Sequence, residues 1–180
     1  QALVATEDVR FYEHSGIDFI ALGRAIVKRG VLGQKSAGGG STITQQLAKQ
    51  LYSSTAGSVT ERLLQKPIEW VIAVQLERNY TKNEIIMLYL NYFDFLHNAV
   101  GIKTASNTYF SKDPKDLTIL ESATLVGLCK NPSYFNPVRY SERCLERRNV
   151  VLHQMLKADY ITQAQYDSLS VKPLGLKFHV

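Results

Sequence analysis

Apolar residues recur at intervals of three and four along most of the chain, as in Leu63, Leu64, Ile68, Val71, Ile72 and Leu76, which is the period of one helix face. No alternating strand pattern or Asn-Gly hairpin signal accompanies them. A second signal marks helix starts: Ser or Thr followed three residues on by Glu or Gln, where each side chain can bond the other's backbone N–H. It occurs at Thr42 with Gln45, Ser58 with Glu61, Thr81 with Glu84, Thr118 with Glu121 and Thr162 with Gln165. Together these patterns predict an all-α fold with helices over 18–29, 43–52, 60–78, 82–91, 100–110, 117–128, 142–159 and 163–170. Pro67 falls inside the third; it lacks a donor and crowds the preceding turn, so a kink or a fresh helix start is expected there. The Gly- and Ser-rich stretches 30–40 and 53–58 predict mobile loops, and 131–137, with two prolines, a turn.

A chain of 180 residues is most economically one domain, 1–180. It has no apolar run long enough to cross a bilayer. It starts at Gln1 without a signal peptide, which suggests a piece excised from a longer protein whose membrane anchor lies elsewhere. Cys129 and Cys144 fit neither a disulfide framework nor a metal cluster and read as small core residues. His14, His97, His153 and His179 have no metal-ligand spacing, and Trp70, Tyr89, Tyr92 and Tyr109 read as core or groove residues. The net charge of +5 favours anionic partners, phosphates or acidic lipid. Nucleic acid is set aside, since neither zinc-finger spacing nor a long basic run is present.

The chemistry concentrates at 6–18, Thr-Glu-Asp-Val-Arg-Phe-Tyr-Glu-His-Ser-Gly-Ile-Asp. Glu7 follows the apolar Ala2-Leu3-Val4-Ala5 and precedes Asp8, the setting in which a carboxyl is tuned for general acid or base work; a helix end carrying solvated acids is the plainer reading. The next helix has Phe19, Leu22 and Ile26 on one stripe, widened by Ile20, Val27 and Val31, with Arg24 and Lys28 opposite. Such a helix either faces a core or lies in a membrane interface. Gly38-Gly39-Gly40-Ser41-Thr42 opens a helix bearing Gln45, Gln46 and Lys49, which suits a phosphate or pyrophosphate at a helix N-terminus, although a flexible linker before a capped helix has the same look. It is not a nucleotide P-loop, because no Gly-Lys-Ser/Thr ending follows. Glu69 has Gln65 and Lys66 one turn before it and Ile72, Ala73 and Leu76 after it, so it either pairs with Lys66 or is the second acid of a site. Two carboxylates are what glycosidic-bond chemistry uses.

With these residues in hand the sequence resembles the peptidoglycan glycosyltransferase domain of bifunctional penicillin-binding proteins and monofunctional transglycosylases. Five stretches carry the resemblance in order. They are Glu7-Asp8-Val9-Arg10-Phe11-Tyr12-Glu13-His14-Ser15-Gly16-Ile17-Asp18, Gly39-Gly40-Ser41-Thr42-Ile43-Thr44-Gln45-Gln46-Leu47-Ala48-Lys49, Gln65-Lys66-Pro67-Ile68-Glu69, 82–91 with Gly101-Ile102, and Arg147-Arg148-Asn149-Val150-Val151-Leu152. The resemblance implies a lysozyme-like helical domain with a small membrane-facing jaw at about 18–58, and polymerisation of lipid II with release of undecaprenyl pyrophosphate. By position Glu7 would be the general base on the acceptor hydroxyl. Glu69 would stabilise the pyrophosphate, directly or through a divalent cation, Mg or Mn. Arg24, Ser41, Thr42, Gln45, Gln46, Lys49 and Lys66 would hold phosphates and sugars, with Asp8 and Phe11 shaping the cleft.

The implied partners are lipid II, the growing glycan strand and the membrane surface. The implied location is the outer, periplasmic or extracellular, face of the cytoplasmic membrane, and a C-terminal transpeptidase domain in the full-length protein is compatible with it. Gln65 stands where the family commonly has Arg, Gln50 where it has Asn, and Asp94 and Leu96 where it usually has Tyr and Gly, departures that bear on rate. The competing functions are a lysozyme-like muramidase and a non-catalytic scaffold binding glycan or membrane.

Overall fold

The structure, a computed structural model, describes residues 1–28, 40–52 and 59–179, with the side chains of 59–63 left aside. The stretches 30–39 and 53–58, read as mobile loops, lie outside the described residues, as do Val31, Gly38, Gly39 and the Ser58 capping box.

The chain opens with a helix that the apolar period did not announce, α1, Ala2–Glu7. Six residues are too few to display a helical repeat, and Gln1 supplies no side-chain cap. Burial of Ala2, Leu3, Val4 and Ala5 holds it in place. The others follow as α2 (Phe19–Ile26), α3 (Ile43–Tyr52), α4 (Val59–Asn79), α5 (Lys82–Tyr92), α6 (Ile102–Phe110), a 3-10 turn (Pro114–Asp116), α7 (Ile119–Leu128), α8 (Ser141–Lys157) and α9 (Gln163–Ser170). No named strand occurs among the described residues, only an isolated bridge between Asp94 and Val100.

The capping boxes explain why the starts were legible. At Thr118 and Thr162 both reciprocal bonds are present. At Thr81 the backbone N–H donates to Glu84 Oε2 at 2.7 Å while Thr81 Oγ1 accepts from Glu84 N at 3.3 Å. At Pro67 the fresh helix start is not found: α4 passes through the proline as one 21-residue helix. The proline forfeits a single intrahelical bond, and packing of α4 on α3 offsets the loss.

Contacts divide the chain into two units, Gln1–Val9 with Leu90–Val180, and Arg10–Tyr89. In the first, α7 packs on α8 and α1 contacts both, around Leu3, Val4, Phe110, Leu125, Leu128, Val151 and Leu152. Arg148 on α8 is completely buried there; its guanidinium donates to Asn149 Oδ1, to Pro173 O at 3.0 Å and to Ser170 O at 3.2 Å. Leu96 takes φ 68°, followed by His97 and Asn98, also left-handed. Asp94 Oδ1 accepts from Leu96 N at 2.8 Å, and Tyr109 OH donates to Phe95 O at 2.6 Å. These two bonds hold a turn that a leucine disfavours.

α8 was expected to reach residue 159 and stops at Lys157. Asp159 takes φ 56°, with Asp159 N donating to Leu156 O and Tyr160 N to Met155 O, the double bond of a Schellman end. A non-glycine residue in this conformation is strained, and an acid near a helix C-terminus opposes the helix dipole. Asp159→Gly is expected to stabilise the protein by about 0.5–1 kcal/mol, read as a raised midpoint in urea.

In the second unit α3 packs on α4, and Phe11, Ile43, Leu47, Ala73, Ile85 and Tyr89 are fully buried. α2 has no buried residue: Phe19 is 70% exposed and Ile26 62%, so a core-facing role for this helix is excluded within the unit. On α4, Leu64, Ile68 and Val71 form another exposed apolar stripe. Of the aromatics assigned to core or groove, Tyr89 and Tyr109 are buried and Tyr92 is exposed. Cys129 and Cys144 are buried.

Candidate active site

Glu7 closes α1 and the buried Asp8 ends the helix, its φ of −158° taking the chain into extended backbone. The Glu7 carboxylate accepts a hydrogen bond from Arg147 Nη2 at 3.2 Å, with Glu7 16% and Arg147 9% exposed. Burial lowers the Arg147 pKa from the ordinary guanidinium value and the Glu7 carboxylate opposes that shift. Sequence reasoning quoted Arg147 within a motif and gave it no role. The signal was there: Cys144, Arg147, Val151 and Met155 recur at helical spacing on the buried face of α8, and an arginine in that register needs a partner.

The rest of the first motif belongs to the second unit and is tied down by Lys82. Its Nζ donates to His14 O at 2.6 Å and Glu77 Oε1 at 2.8 Å and lies 4.4 Å from the centre of the buried Phe11 ring. Arg10 pairs with Glu13 at 2.9 Å. Asp18 is a helix cap, accepting from Ile20 N and Ala21 N. Gly16 sits at φ 98°, and a Cβ there would fall 2.9 Å from the Ala73 backbone, so only glycine fits.

The α3 N-terminus is built on Thr42. Its hydroxyl donates to Gly16 O at 2.7 Å and accepts from Gln45 N at 3.1 Å, while Gln45 Oε1 accepts from Thr42 N and Ser41 Oγ. Thr42 and Gln45 are buried and bonded to each other in a complete capping box. Ser41 and Gln46 are half-buried and Lys49 is exposed; Gln46 Oε1 accepts from Tyr89 OH. Gly40 lies close under α2, a Cβ on it reaching 3.1 Å from Leu22 Cα. Thr42→Ala removes the cap and the tie to Gly16 together, and is expected to cost about 1–2 kcal/mol of stability in a denaturant titration.

Glu69 is 3% exposed and accepts from Lys66 Nζ at 2.7 Å, Lys66 being 47% exposed. The plainer of the two readings of Glu69 is thus realised, and the pair also offers a half-exposed cation held by a buried acid. The carboxylate shares its face with buried Ala73 and Leu76. Gln65 is half-buried, and Arg24 and Gln50 are exposed. The two acids belong to different units, Glu7 with Asp8 and Arg147 in the first, Glu69 with Lys66 in the second. Among the described residues no group of three or more His, Cys, Asp or Glu gathers as a cation cage. Two of the histidines are tied to neighbouring side chains: His97 bonds Asn136, and His179 bonds Asn107.

The chain is an all-helical, lysozyme-like domain. Residues 1–156 match the transglycosylase family model, and the chain belongs to that family, a family of glycosyltransferases. It is 43% identical over 180 residues to penicillin-binding protein 1A of Vibrio cholerae, covering 99% of this chain and 21% of that protein. It is 42% identical over 180 residues to penicillin-binding protein 1A of Escherichia coli, covering 99% of this chain and 20% of that protein. The 2.6 Å crystal structure of penicillin-binding protein 1A from Haemophilus influenzae superposes with a TM-score of 0.52 at 32% identity, covering 77% of this chain and 17% of that one. The chain therefore spans about a fifth of the length of the relatives it matches.

Proposed function

We propose that this domain is a peptidoglycan glycosyltransferase that polymerises lipid II into glycan strands. The acceptor GlcNAc 4-hydroxyl attacks the donor MurNAc C1; the new O4–C1 bond forms as the C1–oxygen bond to undecaprenyl pyrophosphate breaks, and the hydroxyl proton passes to Glu7. The observation that carries this reading is Glu7 itself, a partly exposed carboxylate whose position a buried arginine fixes. A base must be held within hydrogen-bond reach of the proton it takes, and the Arg147 bond supplies that constraint. Charge leaves on the pyrophosphate, and the exposed or half-exposed cations Arg24, Lys49 and Lys66 are the groups assigned to it. Ser41, Thr42, Gln45 and Gln46 frame the α3 N-terminus for phosphate and sugar oxygens, Thr42 and Gln45 by shaping the backbone rather than by direct contact. A divalent cation, Mg or Mn, would be held by Glu69 in exchange for its bond to Lys66 and would supply positive charge to the pyrophosphate.

The jaw of this reading is residues 18–58. The exposed apolar face of α2, with Arg24 on the helix and Lys28 just past its end, supports placement in a membrane interface, cations toward headgroup phosphates. No described helix is long and apolar enough to cross a membrane. The work is then done at the outer face of the cytoplasmic membrane, in a longer protein with a transpeptidase domain, as the relatives' name and length suggest. The test is to incubate the domain with labelled lipid II, detergent and a divalent cation and to resolve the products by gel. A ladder that collapses under muramidase is expected. Soluble muropeptides would instead identify a muramidase, and intact bound lipid a scaffold.

A further inference from the structure

Arg147 and Arg148 are consecutive, both buried on α8, and used differently. Arg148 has its guanidinium bonded to Asn149, Ser170 and Pro173, as a structural arginine does. Arg147 makes its hydrogen bond through Nη2 to Glu7, while its buried Nε has no partner among the described residues. Burying a guanidinium with a donor unmet is unfavourable for stability, so the arrangement calls for a reason other than folding. Its surroundings keep the side chain in one place. The guanidinium lies 5.8 Å from the Phe135 ring centre. Below it is Gly127 of α7, where a Cβ would stand 3.2 Å from Arg147 Cγ. Gly127 thus leaves the groove along which Arg147 reaches Glu7.

We infer that Arg147 is a positioning residue for the transfer reaction, seated by Gly127 and Phe135, which fixes the Glu7 carboxylate in the orientation that accepts the hydroxyl proton. The inference rests on the reading of Glu7 as the base. Loss of the Arg147 bond removes that constraint on the Glu7 carboxylate, and misplacement of a reacting group by an ångström costs about 100-fold in rate.

The experiment uses the whole chain and measures steady-state kinetics on lipid II for Arg147→Ala, Arg147→Lys, Glu7→Gln and the double variant Glu7→Gln/Arg147→Ala. The expected result is a kcat about 100-fold lower for Arg147→Ala with KM unchanged, part of it restored by millimolar guanidinium and part retained by Arg147→Lys. The double variant is expected to be no slower than Glu7→Gln alone. Full kcat in Arg147→Ala while Glu7→Gln is inactive would overturn the inference and leave the reading of Glu7 standing. An active Glu7→Gln would remove that reading and the inference with it. Should Arg147→Ala fail to fold, Gly127→Ala, which pushes on Arg147 Cγ alone, is expected to lower kcat several-fold at unchanged melting temperature, and unchanged kcat there overturns the inference.

Discussion

Glu7→Gln is expected to lower glycan polymerisation by about 10³-fold, the range that loss of a general base commands. The amide keeps the size of the side chain and loses its capacity to accept the hydroxyl proton, so binding of lipid II should survive. Equilibrium binding in detergent alongside the gel assay separates the two effects. Because Arg147 is left beside a neutral partner in a mostly buried site, a stability loss of about 1 kcal/mol accompanies the change. A Glu7→Gln protein that binds substrate and polymerises at the normal rate would remove Glu7 from the reaction.

Arg148→Ala is expected to be the most destabilising single change considered, by about 3–5 kcal/mol. The side chain is fully buried and bonds two carbonyls at the end of α9 and beyond it, Ser170 O and Pro173 O. Truncation leaves Pro173 O without its donor and Ser170 O with the Asn149 amide alone, opens a cavity, and loosens the chain that follows α9 from α8. Urea unfolding followed by helical circular dichroism measures the loss. Arg147→Ala, whose side chain has an unmet donor already, is expected to lose much less, and that contrast within one dipeptide distinguishes a folding arginine from a functional one.

The same dipeptide shows where the sequence was readable. Helix starts with a Ser/Thr-x-x-Glu/Gln box were placed well because their determinants are local: Thr118 and Glu121 need only each other. Helix α1 was missed because what holds it is burial against α7 and α8, which no six-residue window contains. The fresh start allowed for at Pro67 does not occur, since a local rule about one lost bond gave way to the packing of a long helix. At the candidate site, Glu7, Glu69 and the Thr42 helix start were legible from motif order, and the Lys66–Glu69 pair from its spacing of three. The partner of Glu7 lies 140 residues away in sequence, and only the fold brings it near. Thr42 and Gln45, assigned to substrate from the motif, have their polar atoms in the capping box, a use that the box pattern had announced.

The most direct test of the central claim is to count, in one reaction, the undecaprenyl pyrophosphate released and the glycosidic bonds formed from labelled lipid II, for the unaltered chain and for Glu7→Gln. The account predicts one pyrophosphate lipid per new bond in the unaltered chain and neither product above background in the variant. Pyrophosphate release without polymer, or equal yields from the two proteins, would contradict it.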